Sequence, residues 1–435
     1  MNGAEPATAR GPFAAAVAAA RARGELVVQP RMGFGDPAVM RAGLDAVARA
    51  PAATVATVTL DSYTRVGDHP AAARALAEGA PLNGYPIVAH PPEVTRRVLD
   101  GARRYGVPVQ VRHGSALPEA IFAALLRTGV DATEGGPVSY CLPYSRVPLR
   151  EAVGSWARCC ERFARLRDAG VEPHLESFGG CLLGQLCPPS LLIAVTVLEG
   201  LFFQQHGLRS VSLSYAQQTC AQQDEEALAA LHRLIGELLP DLDTHVVLYT
   251  YMGVYPRTPA GALRLLGAAA RLAVRGGAAR LIVKTPAEAH RIPTIEENVA
   301  ALAHAARVAA AEPPVMSAVA DTGIYAEARA LVGAVRELSP DVGVALCRAF
   351  ERGVLDIPYC LHPDNAGQAR GLLTDTGRLV WSRSGRMPVR VDHGGGGGEM
   401  TSGRLLAALS YTAARYDDGV GPAVERGGAV PEVAG

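Results

Sequence analysis

Short apolar runs rich in β-branched residues recur along the chain. Between them lie longer stretches whose apolar residues return every three or four positions. The first kind marks buried strands at Glu25–Gln29, Thr54–Leu60, Tyr85–Ala89, Pro108–Val111, Asp131–Thr133, His174–Phe178, Val211–Tyr215, Thr244–Tyr251 and Ala279–Lys284. The second predicts helices, among them Pro37–Ala50, Glu93–Tyr105, Leu149–Asp168, Ser190–His206, Asp224–Leu239, Pro259–Arg275 and Thr294–Ala311. Unbroken alternation of this sort implies parallel strands joined by crossover helices. Nine candidate strands are one more than a closed barrel takes. Tyr85–Ala89, a short piece interrupted by Pro86, is the surplus one. The fold class expected is α/β, an eight-stranded parallel β/α (TIM-type) barrel with a smaller C-terminal α+β region. A doubly wound open sheet is the alternative, disfavoured because no G-x-G-x-x-G follows the first strand.

Residues 1–20 read as a loose leader entering a short Ala/Arg helix, and 21–312 as the barrel. The region 313–435 opens on Pro313-Pro314 and carries a helix at Ala326–Leu338. Its five-glycine run, Gly394–Gly398, lacks the Lys-Ser/Thr of a phosphate loop and reads as a linker; the stretch after Asp418 reads as disordered. With 42 basic and 42 acidic side chains in 435 residues, the chain offers no charge excess to draw it to nucleic acid or to an anionic membrane. The eight cysteines are scattered without a C-x-x-C pair, as expected of reduced cytosolic thiols. The longest apolar run, Leu191–Phe203, is interrupted by Glu199 and is too short to span a bilayer. No apolar signal core stands at the N-terminus, and a cytoplasmic protein is expected.

The chemistry is concentrated where strands end. A lysine closes the run Leu281–Lys284, and a buried ammonium is costly unless it is used. Arg31, Arg65, Arg112, Glu134, Glu176 and Lys284 all follow or end successive strands, and a barrel would bring them to one mouth. Any one such arginine is ordinarily a solvated loop residue or half of an ion pair; the repetition points to a site. Three guanidinium groups suit a dicarboxylate or a phosphate. A glutamate among them would take an ammonium, so a small amino dicarboxylic acid matches the set. Tyr140 and Tyr144 alone would read as packing residues. No H-E-x-x-H, zinc spacing or G-x-S-x-G occurs. His174 and Glu176 share a strand face that could ligate a metal, but a hydrogen-bonded histidine is commoner, and no metal is expected. Lys284 has two chemical uses. It could form a Schiff base in an aldolase or lyase, or stay charged and, with Glu288, bind hydroxyls of a cofactor ribose. The pattern leaves both open, along with a non-catalytic barrel that only binds amino dicarboxylates.

Several segments carry a resemblance. They are Val28-Gln-Pro-Arg31-Met-Gly33, Thr59-Leu-Asp-Ser-Tyr-Thr-Arg65, Leu82-Asn-Gly-Tyr-Pro86, Val109-Gln-Val-Arg-His-Gly114, Glu134-Gly-Gly-Pro-Val-Ser-Tyr-Cys-Leu-Pro-Tyr144, Tyr251-Met-Gly-Val-Tyr-Pro256 and Ile282-Val-Lys-Thr-Pro-Ala-Glu-Ala289. Ala349–Pro358 and Asn365-Ala-Gly367 extend it past the barrel. From about residue 24 to about 385, the chain resembles the large, epsilon subunit of glutamate mutase, also called methylaspartate mutase. That resemblance implies an adenosylcobalamin-dependent radical interconversion of L-glutamate and threo-3-methyl-L-aspartate. It assigns Arg31, Arg65 and Arg112 to the substrate carboxylates, with His113 beside the substrate. Glu134 would hold the substrate ammonium as the catalytic carboxylate, with Tyr140 and Tyr144 completing the pocket. Gly33, Asn83, Pro143, Tyr255, Lys284, Glu288 and Ile292 fall at cofactor-contacting positions, and Lys284 and Glu288 would bind the adenosine ribose. The family's cobalamin is held largely by a small subunit carrying D-x-H-x-x-G, a motif this sequence lacks. A cobalamin-binding small subunit is therefore the implied partner, in a heterotetramer built on a homodimer of the large chain. The chain departs from the family pattern at Ser177–Gly184 and Ser214–Cys220, and Tyr255 stands where the family has phenylalanine.

Overall fold

The computed structural model describes residues 10–182, 186–313, 319–391 and 401–419. Eight parallel strands form its centre: β1 Val27–Gln29, β2 Ala56–Thr59, β3 Val109–Arg112, β4 Ala132–Gly135, β5 His174–Ser177, β6 Ser210–Ala216, β7 Asp243–Tyr249 and β8 Arg280–Ile282. They follow one another in the order β1-β8-β7-β6-β5-β4-β3-β2. The two ends of that order meet again where Val28 N donates to Ala53 O at 2.9 Å and Thr59 N donates to Met32 O at 2.8 Å. The sheet thus all but closes into a barrel. The segment Tyr85–Ala89 is no ninth strand. It touches the sheet only through a bridge between Leu60 and Tyr85, and Pro86 cannot donate to a ladder.

Helices wrap the outside, each burying the apolar face its spacing predicted. The helix Pro189–Gln205 is different. Every residue from Pro189 to Gly200 is buried, because it lies between β6 and the helices Ala221–Leu238 and Ile324–Arg336. Beyond the barrel come the helices Ile324–Arg336 and Val342–Arg352, an antiparallel hairpin of β9 Arg370–Leu373 and β10 Leu379–Arg383, and the helix Ser402–Asp417. The five-glycine run lies outside the described residues, as does the tail from residue 420. No helix among the described residues is long and apolar enough to cross a membrane.

The short Ala/Arg helix expected at the N-terminus runs from Pro12 to Ala22, and it is packed and not loose: Phe13, Ala14, Val17 and Ala20 are buried. Phe13 is fully buried against the N-terminal end of the barrel, its ring 4.9 Å from that of His174 and 4.9 Å from the Arg280 guanidinium carbon. Residues 13 and 17 share a helix face, and that is what the Ala-rich composition concealed.

Inside the barrel, polar groups replace much of the usual aliphatic filling. Arg280 donates to Glu176 and to Gln29, and reaches Ser212 at 3.0 Å and His245 at 2.9 Å. Gln29 in turn donates to Thr57 at 2.9 Å and to Gln110 at 2.7 Å. Both ring nitrogens of His174 are engaged at 2.9 Å by Ser210 and Ser212. Each buried polar atom here finds a partner on another strand, the condition for tolerating it in a core.

Candidate active site

A cavity of about 840 Å³ opens at the C-terminal ends of the strands. The strands supply its walls in sequence. Arg31 follows β1, Arg65 sits on the short helix Ser62–Val66 after β2, Arg112 closes β3, Glu134 lies within β4, and Lys284 follows β8. Of the residues expected at the site, Arg31, Gly33, Arg65, Asn83, Arg112, His113, Glu134, Tyr140, Tyr144, Lys284, Glu288 and Ile292 all line this cavity. Pro143 and Tyr255 do not. Tyr255 lies one layer back, its ring 4.1 Å from the ammonium of Lys284. Glu176 does not face the mouth either; it points down the barrel axis to Arg280, fully buried, and forms an ion pair there. No cluster of metal-ligating side chains occurs among the described residues, and His174 is spent on serines.

Two ion pairs, one buried and one partly buried, shape the cavity floor and wall. Arg112 Nε lies 2.8 Å from Glu134 Oε2, both side chains being almost wholly buried. Tyr140 donates to the other oxygen of Glu134. On the opposite side Arg31 Nη1 pairs with Glu288 Oε2 at 2.8 Å, and Glu288 Oε1 accepts from Thr285 N at 3.1 Å. Thr285 and Glu288 form a capping box on the turn Pro286–Ala289, which fixes the glutamate in place. Nε of Arg31 and of Arg65 is buried without a hydrogen-bond partner, and so is Nε2 of His113. His113 Nδ1 accepts from Ser115 N at 3.1 Å, so the neutral ring carries its proton on Nε2. Burial and the neighbouring Arg65 hold that ring neutral, down to about 3. Unsatisfied buried donors are costly, and three of them around one cavity describe a place built for an acceptor-rich guest.

Local backbone explains why the loop after β4 can carry Tyr140. Gly135 has φ +132°, and a Cβ there would strike Trp156 and Tyr140 within 2.4–2.7 Å. Glu199, from the buried helix, then accepts from Val138 N at 3.2 Å, Ser139 N at 2.8 Å, Ser139 Oγ at 3.0 Å and Ser177 Oγ at 2.9 Å. Burial nevertheless pushes its carboxyl up to about 7. The sequence reading took Glu199 only as a break in an apolar run. A lone charge inside such a run was the available signal, because it must be paid for by partners.

Lys284 is buried, donates to Tyr251 O at 3.3 Å, and has its ammonium pushed down to about 8. Burial is the main cause, Arg31 adds to it, and Glu288 opposes it. The folded chain gives up this proton near pH 8 and the unfolded chain near pH 10.5, so between these values the unfolded chain binds more protons. Stability therefore rises with pH across that window and is lost again as pH falls through 8. Wild type is expected to gain up to about 3 kcal/mol on Lys284→Met over that range. Urea unfolding at stepped pH measures it; parallel curves for the two proteins contradict it.

Comparison with known proteins completes the description. A family model described as Methylaspartate mutase E chain (MutE) matches residues 8–394. The glutamate mutase epsilon subunit of Halobacterium salinarum is 35% identical over 334 residues, which is 74% of this chain and 69% of that protein. The epsilon subunit of Desulfitobacterium hafniense is 31% identical over 400 residues, 87% of this chain and 79% of that protein. Among solved structures, a truncated 3-deoxy-D-arabino-heptulosonate 7-phosphate synthase from Thermotoga maritima superposes with a TM-score of 0.38 and 9% identity, over 65% of this chain and 84% of that one. That likeness adds nothing to the strand order already given.

Proposed function

This chain belongs to the methylaspartate mutase E chain family, and on that footing we propose that it is the large catalytic subunit of an adenosylcobalamin-dependent mutase interconverting L-glutamate and threo-3-methyl-L-aspartate. The observation that carries this reading is the convergence of three guanidinium groups, two of them with unpartnered Nε donors, and one glutamate on a single cavity. In it, Arg31, Arg65 and Arg112 grip the two carboxylates of the substrate. Glu134, the catalytic carboxylate, takes the ammonium, with Tyr140 orienting it and Tyr144 at the rim. His113 offers its Nε2 proton to a substrate oxygen. Holding both carboxylates keeps the fragments of a rearranging skeleton in register, and a partner seated over the cavity would keep water from them.

The residues present suit the cofactor. At Gly33 a Cβ would come within 2.3 Å of Thr59 O, so close packing against the end of β2 requires the glycine, and this residue lines the cavity. Asn83 and Ile292 line the same side, and Lys284 and Glu288 offer a donor and an acceptor to ribose hydroxyls. Tyr255 would act through Lys284, and Pro143 through the loop that bears Tyr144. Adenosylcobalamin, when bound, supplies the radical that starts the rearrangement. Its corrin would be carried by a small cobalamin-binding subunit, in a cytoplasmic heterotetramer with two copies of this chain.

Mixing the purified chain with a cobalamin small subunit, adenosylcobalamin and L-glutamate tests the reading. Formation of 3-methylaspartate supports it; none, where a known large subunit succeeds, overturns it. Arg65→Lys is expected to lower kcat/KM about tenfold to a hundredfold, because a point ammonium cannot reproduce a planar fork. Equal kinetics would remove Arg65 from the carboxylate grip. One observation favours a second reading, a Schiff-base lyase: the lowered ammonium of Lys284. Borohydride reduction with a keto diacid tests that, and absence of an adduct removes it.

A further inference from the structure

Tyr249 ends β7 on the barrel axis, fully buried below the cavity and outside its lining. Its hydroxyl stands between two carboxylates, 2.7 Å from Glu134 Oε2 and in contact with Glu176 Oε1. Glu134 and Glu176 lie directly opposite in the register of β4 and β5, where bare like charges would repel. The face of the same ring carries the guanidinium of Arg112, its carbon 5.1 Å from the ring centroid. Beneath, Glu176 is held by Arg280 and by Gln110 at 3.2 Å. One side chain thus touches, through its oxygen, the carboxylate that faces the cavity and, through its ring, one of the arginines. Both are anchored to a base that is itself fully buried and ion-paired.

We infer that Tyr249 is a positioning residue for amino-acid recognition: its hydroxyl sets Glu134 for the ammonium, and its ring sets Arg112 for a carboxylate. The inference rests on the substrate class proposed above for this site. The two functions separate chemically. Tyr249→Phe keeps the ring and removes only the hydroxyl, whereas Tyr249→Leu removes both supports.

The test is calorimetric titration of the full chain with L-glutamate and with glutarate, the same dicarboxylate without its ammonium. Wild type is expected to bind L-glutamate more tightly. Tyr249→Phe is expected to lose about tenfold on L-glutamate while its affinity for glutarate is unchanged; Tyr249→Leu weakens both. The ratio of the two affinities within one protein does not depend on how much of it is folded. Should Tyr249→Phe not fold at all, the double variant Glu176→Gln with Arg280→Met removes the base under the phenol without stranding a charge. Its ratio is expected to fall in the same direction. An equal loss on both ligands, or an unchanged ratio, overturns the inference. Wild type that binds neither ligand, or binds glutarate more tightly, overturns the reading of the site itself and this inference with it.

Discussion

Arg112→Met is expected to lower kcat/KM for L-glutamate by on the order of a thousandfold in the reconstituted enzyme. Two losses combine. The guanidinium at the end of β3 is the most buried of the three, 5% exposed, so water cannot substitute for it. On the proposed function, a fork of charge-assisted bonds to a substrate carboxylate goes with it. The same change leaves Glu134 without its ionic partner in a site where that glutamate is 1% exposed. A buried charge stripped of its partner destabilises by about 3–5 kcal/mol, so a lowered urea midpoint should accompany the kinetic defect. Steady-state kinetics and urea unfolding on the same preparation check both halves. A loss under tenfold would mean that Arg112 serves Glu134 alone and does not reach substrate.

The largest effect on stability is expected one layer lower. Arg280→Met should destabilise the fold by about 3–5 kcal/mol, because Glu176 would remain fully buried and unpaired. Combining it with Glu176→Gln should restore most of that loss, since removing both members of a buried pair is often close to neutral. Gln29, Ser212 and His245 would still lose their contacts with the guanidinium, so recovery should stop short of wild type. Chemical denaturation of the three proteins measures the cycle. If the single and double variants unfold at the same denaturant concentration, the ion pair is not what holds the lower barrel together.

Much of this fold could be read from periodicity because its strands are buried on both faces. They read as continuous β-branched runs, and the helices between them keep a clear apolar stripe. Pro86 identified the piece that does not join the sheet. The arginines could be found because a barrel puts strand ends at a known rim. Height along the barrel axis could not be read. Glu134 and Glu176 look equivalent in sequence and sit opposite each other in register, yet one faces the cavity and the other turns to Arg280. What distinguishes them is a partner on β8, 104 residues from Glu176. Tyr249 was missed for the same reason, since its two carboxylates come from β4 and β5. Glu199 was visible as an anomaly, but the serines and amides it binds lie on two other segments.

Phe13 makes the barrel a cup and not a tube. With its ring seated under His174 and Arg280 at the foot, and with the interior packed above it, the foot is stoppered, and the cavity opens at the other end. On the proposed function, a cobalamin-binding subunit seated over that opening would govern traffic in both directions: the guest would enter before the cover closes, and its product would wait until the cover lifts or tilts.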